Sequence, residues 1–341
     1  MEIISNLTNG FKCKEKRQSS FVTSQLLLLR SRRKWGIMYM LATVSGIFVP
    51  MGVFTPIVGQ GDLILTIVIK NTPLLASTFL IITGMYVLND LVDADLDRSS
   101  RKKRPIPSGQ VTEAQAWIFV IVTNVAGISL ALITCNPYST TITLSITGIG
   151  LMYSAPKICL KDRFVVKTGS IAAASMLCFL LGSSYTFNST GMIVHGFKYH
   201  ISQIGLPILV SSYGALMSGC IIFITSLLND LGDVEGDTAF GRRTIPSVIG
   251  PKNTVKLTII IATAMIFTCM ISFCLLPYQI GLISPISVSL VAVFSAIKMT
   301  RLLNHLNDCD FIRYQHKRSI RWHLMLQSAL IVGSLFFCAA L

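Results

Sequence analysis

The chain has 341 residues, of which 52% are apolar and only 13% charged, with a mean hydropathy of +0.65. So apolar a composition excludes a soluble globular domain and a disordered chain, and at roughly 20 residues per crossing it accommodates up to about ten membrane helices. The net charge of +14 would suggest a nucleic-acid partner in a soluble protein, but in a membrane protein it first reports topology.

Taken in chain order, apolar windows predict helices over 35–58, 71–91, 114–135, 138–156, 167–187, 205–230, 254–276, 279–299 and 321–341. The expectation is an all-α polytopic membrane protein, a bundle of nine transmembrane helices with polar cap loops 2/3 and 6/7. Residues 1–34 read as a basic N-terminal segment without a signal-peptide pattern, and 35–341 as the transmembrane domain.

Nine spans put the N-terminus and the even-to-odd connections on one side, with 27 of the 29 Lys and Arg, and leave Lys70 and Lys198 on the other. The positive-inside rule then makes the N-terminus and the cap loops cytoplasmic and the C-terminus external, in a plasma-membrane protein. Orientation and attraction to anionic membrane lipids account for the basic excess, so no nucleic-acid partner is expected, and no protein partner is indicated.

Nine Cys without a CxxC pair read as small buried hydrophobes. His305, His316 and His323 lack ligand spacing and read as surface groups. The sequons at Asn6 and Asn188 are weak matches, and only Asn188 falls on the predicted external side.

Acidic residues are concentrated. Of 15 Asp and Glu, eight fall in NDLVDADLDRSSRKKRPIPSG (89–109) and NDLGDVEGDTAFGRRTIPSVIG (229–250). Asn89, Asp90, Asp93 and Asp97 align without a gap with Asn229, Asp230, Asp233 and Asp237, all offset by 140 residues, an internal repeat of a site-forming element. The i, i+3, i+7 spacing predicts three carboxylates on one helical face in each copy.

At a helix C-terminus such carboxylates repel one another and oppose the macrodipole, so a cation belongs there. With no His or Cys nearby, Mg²⁺ fits better than zinc, and an EF-hand is excluded by the missing central Gly and distal Glu. Arg101, Lys102, Lys103, Arg104, Arg242 and Arg243 would surround the same mouth, which suits a diphosphate and its departure as a leaving group. Solvated acidic helix ends are the competing reading, weakened by the repeat; a transporter is the rival class, although its charges belong nearer the bilayer midplane.

These residues resemble the UbiA superfamily of intramembrane prenyltransferases. Its NDxxDxxxD signature is matched by Asn89, Asp90, Asp93 and Asp97, its second acidic segment by Asp230, Asp233 and Asp237, and its RPxPSG tail by Arg104, Pro105, Pro107, Ser108 and Gly109. Tyr153, Ser154, Pro156, Leu160 and Lys161 match its YSxP and LK elements. Lys157, Cys159 and Ser170 depart from the usual residues at positions bearing on the acceptor pocket.

The resemblance implies Mg²⁺-dependent ionisation of an isoprenyl diphosphate and capture of the allylic cation by an acceptor. One Mg²⁺ is expected on Asp90, Asp93 and Asp97, and a second on Asp230, Asp233 and Asp237. The diphosphate is expected on Asn89, Arg104, Lys161, Arg242 and Arg243, with Tyr153 orienting substrate or stabilising the cation. The stretch DVEGDTAFGRRTIP is most similar to the branch that attaches geranylgeranyl groups to geranylgeranylglyceryl phosphate in ether-lipid synthesis. An aromatic acceptor of the 4-hydroxybenzoate, homogentisate or naphthoquinone type, or a membrane terpene cyclase, are the alternatives.

Overall fold

The computed structural model describes residues 19–51, 61–99, 104–187, 205–239, 241–275 and 281–337. The described residues are helical, with nine helices of 18 residues or more: α1 (Phe21–Met51), α2 (Gly61–Val92), α4 (Glu113–Ile133), α5 (Pro137–Ser154), α6 (Phe164–Phe187), α7 (Gly205–Gly232), α10 (Pro251–Leu275), α11 (Ile283–Leu302) and α12 (Cys309–Phe337). Three short helices, α3 (Ala94–Ser99), α8 (Val234–Ala239) and α9 (Ile245–Ile249), lie in the cap segments. The sequons at Asn6 and Asn188 and the cations Arg101, Lys102 and Lys103 fall outside the described residues.

Six of the long helices (α2, α4, α6, α7, α10 and α11) are long and apolar enough to cross a bilayer. Their outer faces are apolar, as Ile260, Phe267 and Ile271 on α10 show, which is what a lipid-facing surface requires. The other three are more polar for identifiable reasons. In α1 and α12 a basic first half precedes an apolar second half, and α5 is rich in Ser and Thr.

α1 and α12 begin earlier than expected, at Phe21 and Cys309 instead of 35 and 321. A hydropathy window stops at charge, but a helix does not. On α12, Lys317 and Arg321 turn outward while Ile312, Ser319, Trp322 and His323 turn into the bundle. The chain enters that helix at Asp308, whose carboxylate accepts the Phe311 N–H at 2.8 Å. The reading of His323 as a surface group is corrected: it is fully buried, with Nε2 3.1 Å from the Met38 carbonyl oxygen. Cys178 and Cys269 are buried as expected, whereas Cys135 and Cys274 are exposed.

α1 packs against α2, α6, α7 and α12. Its closest approach is to α6: a Cβ added to Gly46 would lie 1.8 Å from the Phe179 carbonyl oxygen, and one on Gly182 2.0 Å from that of Thr43. Two backbones can meet this closely only where both helices present glycine. Between α4 and α5 the chain reverses at Cys135 and Asn136; Asn136 caps α5 through the Tyr138 N–H and donates from Nδ2 to the Ser184 carbonyl, tying the turn to α6.

The sequence repeat is a structural repeat. α2 ends at Val92, Asp93 is a turn residue, and the six-residue α3 follows. α7 ends at Gly232, Asp233 is a bend, and the six-residue α8 follows, at the same 140-residue offset. The expectation of one continuous helical face through each motif is therefore corrected, because each helix is interrupted at its central aspartate.

Candidate active site

The interruption gives the three aspartates of each motif different surroundings. In the first, the Arg104 guanidinium clamps the outer two, with Nη1 2.7 Å from Asp90 Oδ1 and 2.5 Å from Asp97 Oδ2. In the second, Lys167 Nζ lies 2.9 Å from Asp230 Oδ1 and 3.4 Å from Asp237 Oδ2. Both clamps work at low exposure, where a carboxylate without a cation would be strongly destabilising. Asp90 is further bound by both Nε and Nη2 of Arg32 from α1, and Thr168 Oγ1 lies 3.5 Å from Asp230.

The central aspartates are left to face a common space. Asp93 Oδ1 is 2.9 Å from Lys161 Nζ and 2.7 Å from Arg242 Nη2. Burial pushes this carboxyl up, but the ammonium of Lys161 and the guanidinium of Arg242 outweigh it and hold Asp93 below the usual carboxylate range. Arg242 belongs to the second copy of the repeat, so the Asp93 contact joins the two copies, and its Nε also reaches Asp162 Oδ1 at 3.1 Å. Asp233 is more open, with Arg313 Nη2 of α12 at 3.7 Å.

The shared space is a polar chamber of about 430 Å³. It takes Asn89, Asp93 and Arg104 from the first copy, Asn229, Asp233, Asp237 and Arg242 from the second, and Tyr153, Lys161, Lys167 and Arg313 from elsewhere. Against it lies an apolar pocket of about 110 Å³ lined by Tyr39, Met85, Tyr86, Ile146, Ser170 and Ile171 among others. Asn89 and Tyr153 line both.

The structure thus brings Asn89, Asp93, Asp233, Asp237, Arg104, Tyr153, Lys161 and Arg242 to one chamber. Asp90, Asp97 and Asp230 sit behind it, and Arg243 is exposed and absent from its lining. Sequence reasoning missed Arg32, Lys167, Arg313, Asn229 and Asp162. Lys167 carried a readable signal, as a lone cation just inside an apolar helix, and Asn229 was visible as the repeat partner of Asn89. Arg32 and Arg313 had none, because each was one Lys or Arg among several in a basic stretch.

Among the described residues no three His, Cys, Asp or Glu groups are gathered as a ready-made metal site. The donors nonetheless suit Mg²⁺: Asp93, Asp233, Asp237, Asn89 and Asn229 offer only oxygen as a ligand, without His or Cys. That ion commonly uses one or two carboxylates and completes its shell with water and substrate phosphate.

A helical intramembrane bundle with a carboxylate- and cation-lined chamber opening onto an apolar pocket defines a class of protein, an integral membrane enzyme for a substrate with a charged head and an apolar tail. The UbiA prenyltransferase family matches residues 69–320, and the chain belongs to that family.

Among relatives, it is 28% identical over 215 residues to the digeranylgeranylglyceryl phosphate synthase of Methanoculleus marisnigri, covering 63% of this chain and 64% of that protein. It is 25% identical over 230 residues to the synthase of that name from Methanothrix thermoacetophila, covering 67% and 76%. The chain therefore spans slightly under two thirds of the first relative. The fold is similar to a solved structure of digeranylgeranylglyceryl phosphate synthase, with a TM-score of 0.64 and 18% identity over 92% of this chain and 99% of that one. It is also similar to a UbiA homolog from Archaeoglobus fulgidus bound to DMAPP and Mg²⁺, with a TM-score of 0.56 and 16% identity over 89% and 99%.

Proposed function

We propose that this enzyme transfers a geranylgeranyl group from its diphosphate to geranylgeranylglyceryl phosphate, with Mg²⁺ held by Asp93 and Asn89 on one side and by Asp233 and Asp237 on the other. The observation that carries the reading is the contiguity of the polar chamber and the apolar pocket through Asn89 and Tyr153. A diphosphate in the first and an isoprenoid chain in the second would place the allylic carbon at their junction. The relatives' shared name supports the glycerophosphate acceptor.

Mg²⁺ would supply charge neutralisation on the departing diphosphate. Lys161, Arg242 and Arg104 donate charge-assisted hydrogen bonds to the same group and stabilise the charge it gains as the carbon–oxygen bond breaks. The diphosphate leaves with the bonding pair, and the acceptor hydroxyl oxygen bonds to the allylic carbon and releases its proton. The apolar pocket excludes water, which would otherwise capture the cation as prenyl alcohol. Asp90, Asp97 and Asp230, with their clamping cations, fix the helix ends that carry the central aspartates. The chamber is proposed to face the cytoplasm, on the side where the basic loops fall.

The test uses purified protein in liposomes with geranylgeranyl diphosphate, Mg²⁺ and a panel of acceptors. Pyrophosphate release that requires geranylgeranylglyceryl phosphate is expected. Release dependent on 4-hydroxybenzoate or homogentisate, or a hydrocarbon product without acceptor, would replace this reading with an aromatic transferase or a cyclase.

A further inference from the structure

Five cations line the chamber beside Asp93, Asp233 and Asp237, with Asp90, Asp97 and Asp230 just behind. The cations are not equally committed. Arg104, Lys161, Lys167 and Arg242 each have a carboxylate oxygen within 2.9 Å. Arg313 differs: its nearest carboxylate oxygen, on Asp233, is 3.7 Å away, and its side chain is 56% exposed.

Arg313 comes from the last long helix and reaches the chamber from the α7/α12 side, away from the cations gathered on Asp93. A Cβ added to Gly232 would fall 3.1 Å from the Arg313 Cγ, so the glycine at the end of α7 leaves room for the arginine stem to lie against it. From Arg313, Lys317 and Arg321 continue at i+4 and i+8 along the outside of α12, both exposed. This basic line runs from the chamber towards the apolar half of the helix, the path an anionic lipid headgroup would follow out of the bilayer interface.

Resting on the proposed transfer to a lipid acceptor, we infer that Arg313 is a specificity-determining residue that binds the phosphomonoester of the acceptor, separately from the cations that bind the diphosphate. With Asp233 engaged by a metal ion, the Arg313 guanidinium fork would be available to a second anion. A phosphate-headed lipid satisfies that fork, and a neutral phenol does not.

The inference is tested by comparing wild type with Arg313→Ala and Arg313→Lys, each in liposomes. With geranylgeranylglyceryl phosphate and its dephosphorylated alcohol as paired acceptors, Arg313→Ala is expected to reduce the preference for the phosphate form at least about tenfold. The KM for geranylgeranyl diphosphate should stay within about twofold, and Arg313→Lys should recover part of the preference. Binding of lysophosphatidic acid, a single-chain phosphomonoester lipid, to detergent-solubilised protein gives a readout independent of turnover: wild type should bind it and Arg313→Ala should lose at least about tenfold in affinity. An unchanged acceptor preference, a rise in KM confined to the diphosphate, or failure of wild type to bind the probe would each overturn the assignment. Failure of the proposed transfer itself would show separately, as wild type without turnover on the glycerophosphate acceptor.

Discussion

At the scale of single residues, the two motifs use three aspartates for two purposes. The outer pair in each is held by one cation, Arg104 or Lys167, and the central one faces the chamber, where Asp237 of the second motif joins it. Asp93→Asn and Asp233→Asn each remove a chamber-facing charge without opening a cavity, so each should lower kcat by about 100-fold or more, and for the more open Asp233 the thermal unfolding temperature in detergent should stay near wild type. Near-wild-type turnover would exclude that residue from the metal site. Lys167→Met should behave differently, because it strands the fully buried Asp230 without its ammonium partner. Such a loss costs about 3–5 kcal/mol, readable as a large drop in thermal stability. The double variant Lys167→Met/Asp230→Leu should regain much of that stability, since neither charge then remains buried alone. If the double variant is no more stable than the single one, the ion pair is not what holds the site together.

At the scale of elements, the α1/α6 crossing positions the pocket wall, since Tyr39 of α1 and Ile171 of α6 both line it. Gly46→Ala or Gly182→Ala forces a methyl group into the opposing backbone and should destabilise by about 1–3 kcal/mol or more. Gly148→Ala on α5 is the matched control: nothing lies within 4 Å of the added Cβ, and the helix gains about 1 kcal/mol from propensity. Thermal melts of the three variants should therefore diverge in sign, and a stable Gly46→Ala would contradict the close packing. The helix interruptions belong to this scale as well. Spacing alone made each motif one continuous face, because i, i+3 and i+7 coincide on an unbroken helix. The turn at Asp93 and the bend at Asp233 separate the central carboxylate from its neighbours.

At the scale of the whole molecule, the chamber lies where α2 and α7 end, the same end at which the basic connections emerge. If the basic loops are cytoplasmic, a protease site inserted after Gln110, in the exposed turn before α4, should be cut in inverted membrane vesicles and protected in spheroplasts. Cleavage from the outer face alone would invert the proposed orientation. Of the chamber lining, the repeat was legible from its spacing, and Lys161 and Tyr153 from short local patterns that resemble the family's. Arg32 and Arg313 were not, since helices at opposite ends of the chain bring them to the site and no local spacing encodes that meeting.

Composition, apolar periodicity and the doubled motif determine by themselves that this is a helical membrane protein with two related acidic segments, because each of those signals is carried by neighbours along the chain. Which carboxylates face the chamber, and which cations neutralise the rest, was decided only when α2, α6, α7 and α12 packed around α1. The direction of a charged side chain at a helix end depends on the partner that offsets its desolvation, and those partners lie tens to hundreds of residues away.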